Sequence, residues 1–448
     1  MSMVVKNNMS AVSTLNTLNK NSSALASSLK KVSSGMKINS AADDASGYAI
    51  SERMRVQIRG LDQANQNTQN GTSMMKVAEG AVSSTVDILK TLKEKVINAA
   101  NDTNTDSDRA TIQKELDQSI DQINDNANVT YNGKYLVDGS HNNKVTATTT
   151  AMTNESLDSA TTGTTKFCAM KDRNGNSLNI NSMDTVTISF VKEGKTYSAT
   201  AAATEDLKKL IENANSKNAN TFKTTIGSTS YIGKDIAGDT VHTADEKQAL
   251  TIEASGTGVK NQVSGITISV TNTQGQVQKS ANAVLDNFSE SIRAQNKSDD
   301  NAISLQVGTK ANQSIKVGLT DMRAEALGLQ SSSGATIQIG TQEQANAAVN
   351  VLDNAVQKAL DQQTTIGSVQ SRLSYTASNL TTASENVQAS ESTIRDADMA
   401  KEMTEYTKNN VLLQAAQSML AQANQSSSSV LSLLQSFWII SPIRLANC

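Results

Sequence analysis

The chain has 448 residues, enough for more than one domain and a sizeable core. Its 40 Lys+Arg against 43 Asp+Glu leave a net charge of −3, which argues against a nucleic-acid-binding class; 37% apolar and 3% aromatic residues favour long polar-faced helices and solvated strands over one thick core. Cys168 and Cys448 form no CxxC, His141 and His242 stand alone, and no HExxH occurs, so no metal site, cofactor site or catalytic triad is expected.

The N-terminal segment MSMVVKNNMSAV carries no apolar signal core, and no run approaches the roughly 18 apolar residues of a membrane helix, so neither a cleaved signal peptide nor membrane insertion is expected. From Leu15 the residues Leu15, Leu18, Leu25, Leu29, Val32 and Met36 follow a heptad step, with Ser22 at one position. Ile50, Met54, Ile58 and Leu61 share one helical face, and Val82, Val86, Leu89, Leu92, Val96 and Ala99 share another. Gly60, Gly71 and Gly80 weaken the helix between them. A further helix over Thr111–Ile123 presents Ile112, Leu116, Ile120 and Ile123, with Asp106 or Ser107 as its cap, and Tyr131-Asn132-Gly133 reads as a turn.

The character changes over about 140–300. Thr185–Val191 and Thr196–Thr200 around Glu193-Gly194 predict a hairpin. Thr204–Ala214 predicts a short helix capped by Thr204, and Gly265–Thr271 another strand. A second hairpin is expected from Ser304–Val307 and Ser314–Val317.

The C-terminal half carries the longest pattern. Val349, Leu352, Val356, Ala359, Gln363, Ile366, Gln370, Leu373, Ala377 and Leu380 keep the heptad step without a slip. One helix over Gln342–Arg395 would be about 80 Å long and needs partner helices. The chain is therefore expected to be mainly α, with an inserted β-rich domain. Both chain ends build a long antiparallel bundle, two rods from the N-terminal half and one from the C-terminal half.

The outermost segments differ in charge. Residues 1–60 hold eight basic and three acidic groups, net +5; residues 385–435 hold three basic and six acidic, net −3, which favours pairing of the two ends. Asn409–Gln435 contains no charged residue and lines up Leu412, Ala416, Met419, Ala423, Val430 and Leu434 in heptad steps. Such a face is expected to be buried when subunits assemble; Ser426–Ser429 would otherwise suit a disordered tail.

VSSGMKINSAADDASGYAISERMRVQIRGL (32–61) resembles the N-terminal signature of bacterial flagellin, and IRDADMAKEMTEYTKNNVLLQAAQSMLAQANQ (394–425) with VLSLL (430–434) resembles its C-terminal signature. YNGKYLVDGS (131–140) and DMRAEALGL (321–329) also fit, so the resemblance covers about residues 1–140 and 301–435. It implies a structural subunit that polymerises into the bacterial flagellar filament, not an enzyme. Export would be unfolded, through the flagellar type III system, without a cleaved signal peptide. The family plan implies an inner N-terminal helix over 1–43, rod segments over 44–139 and 301–395, a variable outer domain over 140–300, an inner C-terminal helix over 396–435, and here an atypical tail over 436–448.

On that reading the assembly interface is Leu15, Leu18, Leu25, Leu29 and Val32 with Leu412, Ala416, Met419, Ala423, Val430 and Leu434. The implied partners are further copies of the chain, the flagellar cap and hook-associated junction proteins, and a cytoplasmic secretion chaperone at the C-terminal segment. The family's strip read by a Toll-like innate immune receptor falls on Thr91, Leu92, Lys95 and Glu115; Glu115 matches, but Thr91 and Lys95 stand where the family has Arg and Leu, which implies weak recognition. The other departure is the tail SFWIISPIRLANC, which holds the only Trp and the only Pro and matches the family's composition poorly enough to suggest an artefact of sequencing. Two rival readings are a hook–filament junction protein and a filament subunit with an adhesive or glycosylated outer domain. A metallopeptidase insert, a third, is argued against by the missing HExxH.

Overall fold

The computed structural model describes residues 8–217, 221–223 and 227–440. They fall into two compact units, one from the chain ends (1–65 and 378–448) and one from the middle (66–377). Eight α-helices are present among the described residues: α1 (Met9–Ser34), α2 (Ala45–Ala99), α3 (Asp106–Ala127), α4 (Leu207–Lys217), α5 (Lys279–Leu285), α6 (Ala324–Leu327), α7 (Gln342–Arg395) and α8 (Met399–Ile440).

In the middle unit, α2, α3 and α7 bury one another's apolar faces as the heptad patterns require. Leu352, Ala359, Ile366 and Leu373 of α7 are buried beside Val82, Val86, Leu89, Leu92 and Val96 of α2 and Leu116, Ile120 and Ile123 of α3. The polar heptad position Gln370 is used, because its Nε2 donates to Glu79 Oε2 at 2.7 Å. Lys93 pairs with Asp353, which together with that contact makes α2 and α7 antiparallel. Each fully buried Leu or Val here contributes about 1.5–3 kcal/mol.

Gly60, Gly71 and Gly80, expected to weaken the helix, all lie within α2, which runs for 55 residues. A Cβ at Gly71 would lie 2.7 Å from Leu305 Cδ1, so the missing side chain admits the hairpin Ile303–Gln306/Ser314–Val317 onto the helix. Thr105, rather than Asp106 or Ser107, caps α3: it and Asp108 form a reciprocal capping box, satisfying two donors at once.

The β-rich segment belongs to the same unit. Strands Val263–Thr271, Thr185–Lys192 and Lys195–Ala202 form a three-stranded antiparallel sheet in that order. The Glu193-Gly194 turn takes positive φ at both residues, as a tight hairpin demands. A four-stranded sheet, unforeseen from the sequence, runs in the order Phe288–Ile292, Ala151–Asn154, Ala249–Glu253 and Gly227–Thr229. Both sheets, with α4 and α5, enclose Phe190, whose ring meets Phe222 edge-on at 4.9 Å. α4 starts at Leu207, not Thr204, because Asp206 Oδ1 accepts the Lys209 amide at 2.8 Å and so supplies the cap.

One five-residue loop is used three times in this segment. In Asp172–Asn176, Asp235–Asp239 and Asn272–Gln276 the first side chain's Oδ1 accepts from the amides of the third and fifth residues at 2.8–2.9 Å. The fourth residue is Gly175, Gly238 or Gly275 at positive φ, where a Cβ would be strained. Asn350 Nδ2 donates to Ile266 O at 3.1 Å and Asn354 Nδ2 to Ser264 O at 2.9 Å, fixing the three-stranded sheet against α7.

Candidate assembly surface

In the unit built from the chain ends, α1 and α8 form an antiparallel pair. The face of α1 turned inward has two rows, Ala11, Leu18, Leu25, Val32 and Thr14, Asn21, Ser28. That of α8 also has two, Tyr406, Leu413, Leu420, Ser427 and Glu402, Asn409, Ala416, Ala423, Val430. Both follow heptad steps, so the pair is a short coiled coil. Its seam is thin and partly polar. Asn21 Nδ2 donates to Leu412 O at 3.1 Å, Asn409 Nδ2 to Ser28 Oγ at 3.0 Å, and Lys31 faces Glu402 at 3.5 Å. The charge contrast between the ends is thus used at one pair, where exposure limits its worth to about 1 kcal/mol or less.

The expected interface residues divide into two sets. Leu18, Leu25, Val32, Ala416, Ala423 and Val430 lie in the seam, buried or half-buried. Leu15 (45%), Leu29 (51%), Leu412 (42%) and Met419 (63%) stay exposed. The stripe read from the sequence therefore straddles the edge of the seam, because Thr14, Asn21 and Ser28 occupy inward positions that a search for apolar residues passes over. Leu434's side chain, and residues 441–448 of the tail, lie outside the described residues. Ser426–Ser429 are helical within α8.

Below the pair, 34–52 and 392–398 close a compact joint. Gly35 ends α1 in a left-handed conformation, and the chain then bridges to the end of α7. Lys37 N donates to Arg395 O at 2.8 Å, Ala397 N to Gly35 O at 2.9 Å, and Lys37 Nζ to Thr393 O at 2.9 Å. Asp43 accepts from Asn39 N, Ser40 N and Ser40 Oγ, and those bonds hold its carboxyl below the usual carboxylate range. Asp44 accepts from Ser46 N and Gly47 N at 3.0 Å, opening α2, and Asp398 does the same for Ala400 N and Lys401 N at the start of α8.

Arg395, buried, reaches across the joint. Its Nη1 donates to Glu52 Oε1 at 2.7 Å and its guanidinium lies 5.5 Å from the Tyr48 ring centroid. The Arg395 bond is the chief reason the Glu52 carboxyl sits below its ordinary range. Lys37, Ser40, Asp43, Asp44, Glu52, Arg395 and Asp398, all within the two sequence signatures, are thus occupied in making this corner.

The strip at Thr91–Glu115, in the middle unit, is held differently. Leu92 is buried in the core and cannot meet a partner. Thr91 Oγ1 donates back to Asp87 O, and Lys95 Nζ pairs with Glu115 at 2.9 Å, so the two charges satisfy each other.

Residues 5–142 match the bacterial flagellin N-terminal helical region and residues 349–434 the bacterial flagellin C-terminal helical region. A flagellin of Clostridium tyrobutyricum is 33% identical over 94% of this chain and 99% of its own. The chain belongs to the bacterial flagellin family. A flagellin of Bacillus subtilis (strain 168) is 29% identical over 97% of this chain and 100% of its own. Among solved structures, the flagellar hook associated protein-3 of Legionella pneumophila aligns with a TM-score of 0.33 at 14% identity, over 76% of this chain and 97% of its own. The identity to flagellins over nearly the whole chain supports a filament subunit. As a flagellin, the chain is a structural protein of the flagellar filament and not an enzyme, and its helical ends with a β-rich middle match that family's plan. No helix among the described residues is long and apolar enough to cross a membrane.

Proposed function

We propose that this flagellin builds the filament through the α1–α8 pair, with Leu15, Leu18, Leu25, Leu29, Val32, Leu412, Ala416, Met419, Ala423, Val430 and Leu434 as the assembly segment. The observation that carries this is the exposure of Leu412 and Met419 on a stretch, Asn409–Gln435, that has no charge to keep it in water, even though the helix is already paired. Covering each exposed Leu or Met by a neighbour would contribute about 1.5–3 kcal/mol at most. A thin, partly polar seam suits a pair that orders as subunits join, and so suits a chain exported unfolded by the flagellar type III system without a cleaved signal peptide. The cap and junction proteins would meet the same surface at the filament ends, and a secretion chaperone would cover α8 before export. Residues 140–300 would face outward. The Lys95–Glu115 pair supports weak recognition by a Toll-like receptor, since a partner must break it or leave it unused. Adding sonicated filament seeds to purified chain tests the central part: electron micrographs should show the seeds lengthened, and persistent unassembled chain would contradict it.

A further inference from the structure

A cavity of about 500 Å³ lies within the middle unit, walled by α7, α6 and the segments 138–142 and 293–298. Sites that hold small organic molecules have this size. None of its walls belongs to the α1–α8 pair. Ile236, Val259, Ala294, Met322 and Ala326 give it an apolar side. Four cations line it, Arg293, Lys297, Arg323 and Lys358, against three acids, Asp138, Asp321 and Asp361.

The acids already have their donors. Asp138 accepts from Ser140 N and Oγ, Asp321 from Arg323, and Asp361 from Arg293 and Gln357. The donors are less well supplied. Lys358 and Gln362 stand one turn apart on α7, 7% and 4% exposed. Gln362 Oε1 accepts from Thr320 N and Oγ1, which fixes the orientation of the amide and leaves its Nε2 without a partner among the described residues. Among those residues Lys358 Nζ meets only Glu290, at 3.2 Å. Arg293 binds Asp361 through Nη2, and Arg323 binds Asp321 through Nε and Nη2, so Nη1 of each finds no acceptor among the described residues. Buried donors without acceptors are costly, and a ligand that brings acceptors removes that cost.

We propose that this cavity binds a small organic carboxylate. Its oxygens accept from the Lys358 ammonium and the two guanidinium groups, and its carbon body lies against Ala294, Met322 and Ala326. The excess of donors and of positive charge argues for an anion. The apolar side argues for one with a hydrocarbon body and against bare phosphate.

The test uses the full chain and ligand-observed NMR with hexanoate as the probe. The unaltered chain should bind hexanoate with a Kd of about 1 mM, ordinary for a molecule of this size. Hexanamide, the same body without the charge, and inorganic phosphate, a charge without the body, should each bind about tenfold more weakly or worse. Lys358→Met with Glu290→Leu removes the ammonium without orphaning an ion, and should weaken hexanoate by about tenfold or more. The Arg323 side chain is 47% exposed, so Arg323→Gln leaves folding intact. It should weaken hexanoate about threefold. Lys310→Met, exposed and outside the cavity, should change nothing. Circular dichroism should show the same helix content throughout. No binding by the unaltered chain, equal binding of hexanamide or phosphate, or undiminished binding by both cavity variants would overturn the inference.

Discussion

Lys358 and Glu290 offer the clearest energetic test in the middle unit. In the strand Phe288–Ile292, just before a register irregularity, the Glu290 carboxylate meets Lys358 Nζ of α7 at 3.2 Å. Both side chains are buried, and burial pulls the Lys358 ammonium below its ordinary range even with Glu290 opposing that. Neither carboxylate oxygen has a well-directed hydrogen bond, so charge chiefly holds the pair. Removing one partner of a buried pair costs about 3–5 kcal/mol. Arg293 Nε lies 3.9 Å from Glu290 and supplies part of the lost charge, which lowers the expected cost of Lys358→Met to about 2–4 kcal/mol. Replacing both, Lys358→Met with Glu290→Leu, leaves no orphaned ion and should fall within about 1 kcal/mol of the original chain. Urea unfolding followed by circular dichroism reads both effects as shifts in midpoint at constant slope. Equal destabilisation by the single and double replacements would refute the reasoning, since it would mean the charges do not depend on each other.

Three further predictions follow from other sites. Gly47→Ala would place a Cβ 2.5 Å from Asp44 Oδ2 and 2.7 Å from Ile38 Cδ1, so it should destabilise the joint by about 1–3 kcal/mol, seen as faster protease cleavage around 35–50; an unchanged cleavage rate would count against the corner described here. Burial raises the Asp286 carboxyl from 3.8 to about 6, so the folded chain binds its proton more readily than the unfolded one, and stability falls as pH rises from about 4 to 6 and then levels. Asp286→Asn should remove that loss, raising stability at pH 7 by about 3 kcal/mol with little gain at pH 4; an equal gain at both would exclude the ionisation. Thr91→Arg with Lys95→Leu should release Glu115 and raise the response of a Toll-like receptor reporter cell above that of the unaltered chain, and a strong response to the unaltered chain would contradict the ion-pair argument.

Long, unbroken periodicities were legible in advance. α7 spans Gln342–Arg395 as its heptads indicate, and the hairpin around Glu193-Gly194 forms where alternation and turn residues coincide. What escaped detection depends on side chains with weak or shared signals. The inward row Thr14–Asn21–Ser28 is polar, so the seam of the α1–α8 pair looked displaced by one position. The four-stranded sheet is built of short strands whose register comes from tertiary contacts. The caps Thr105 and Asp206 compete with equally good neighbours, and only geometry separates them. One signal was available and unused: an Asp or Asn followed three residues later by Gly marks all three copies of the five-residue loop. Of the corner, the signature residues were visible, but that Arg395 ties Glu52 and Tyr48 together needed coordinates.

The most direct test of the assembly account removes the paired ends one at a time. Chains lacking residues 1–34 or 399–448 should remain unassembled when added to sonicated filament seeds that the full chain lengthens. Long filaments grown from either shortened chain would contradict it.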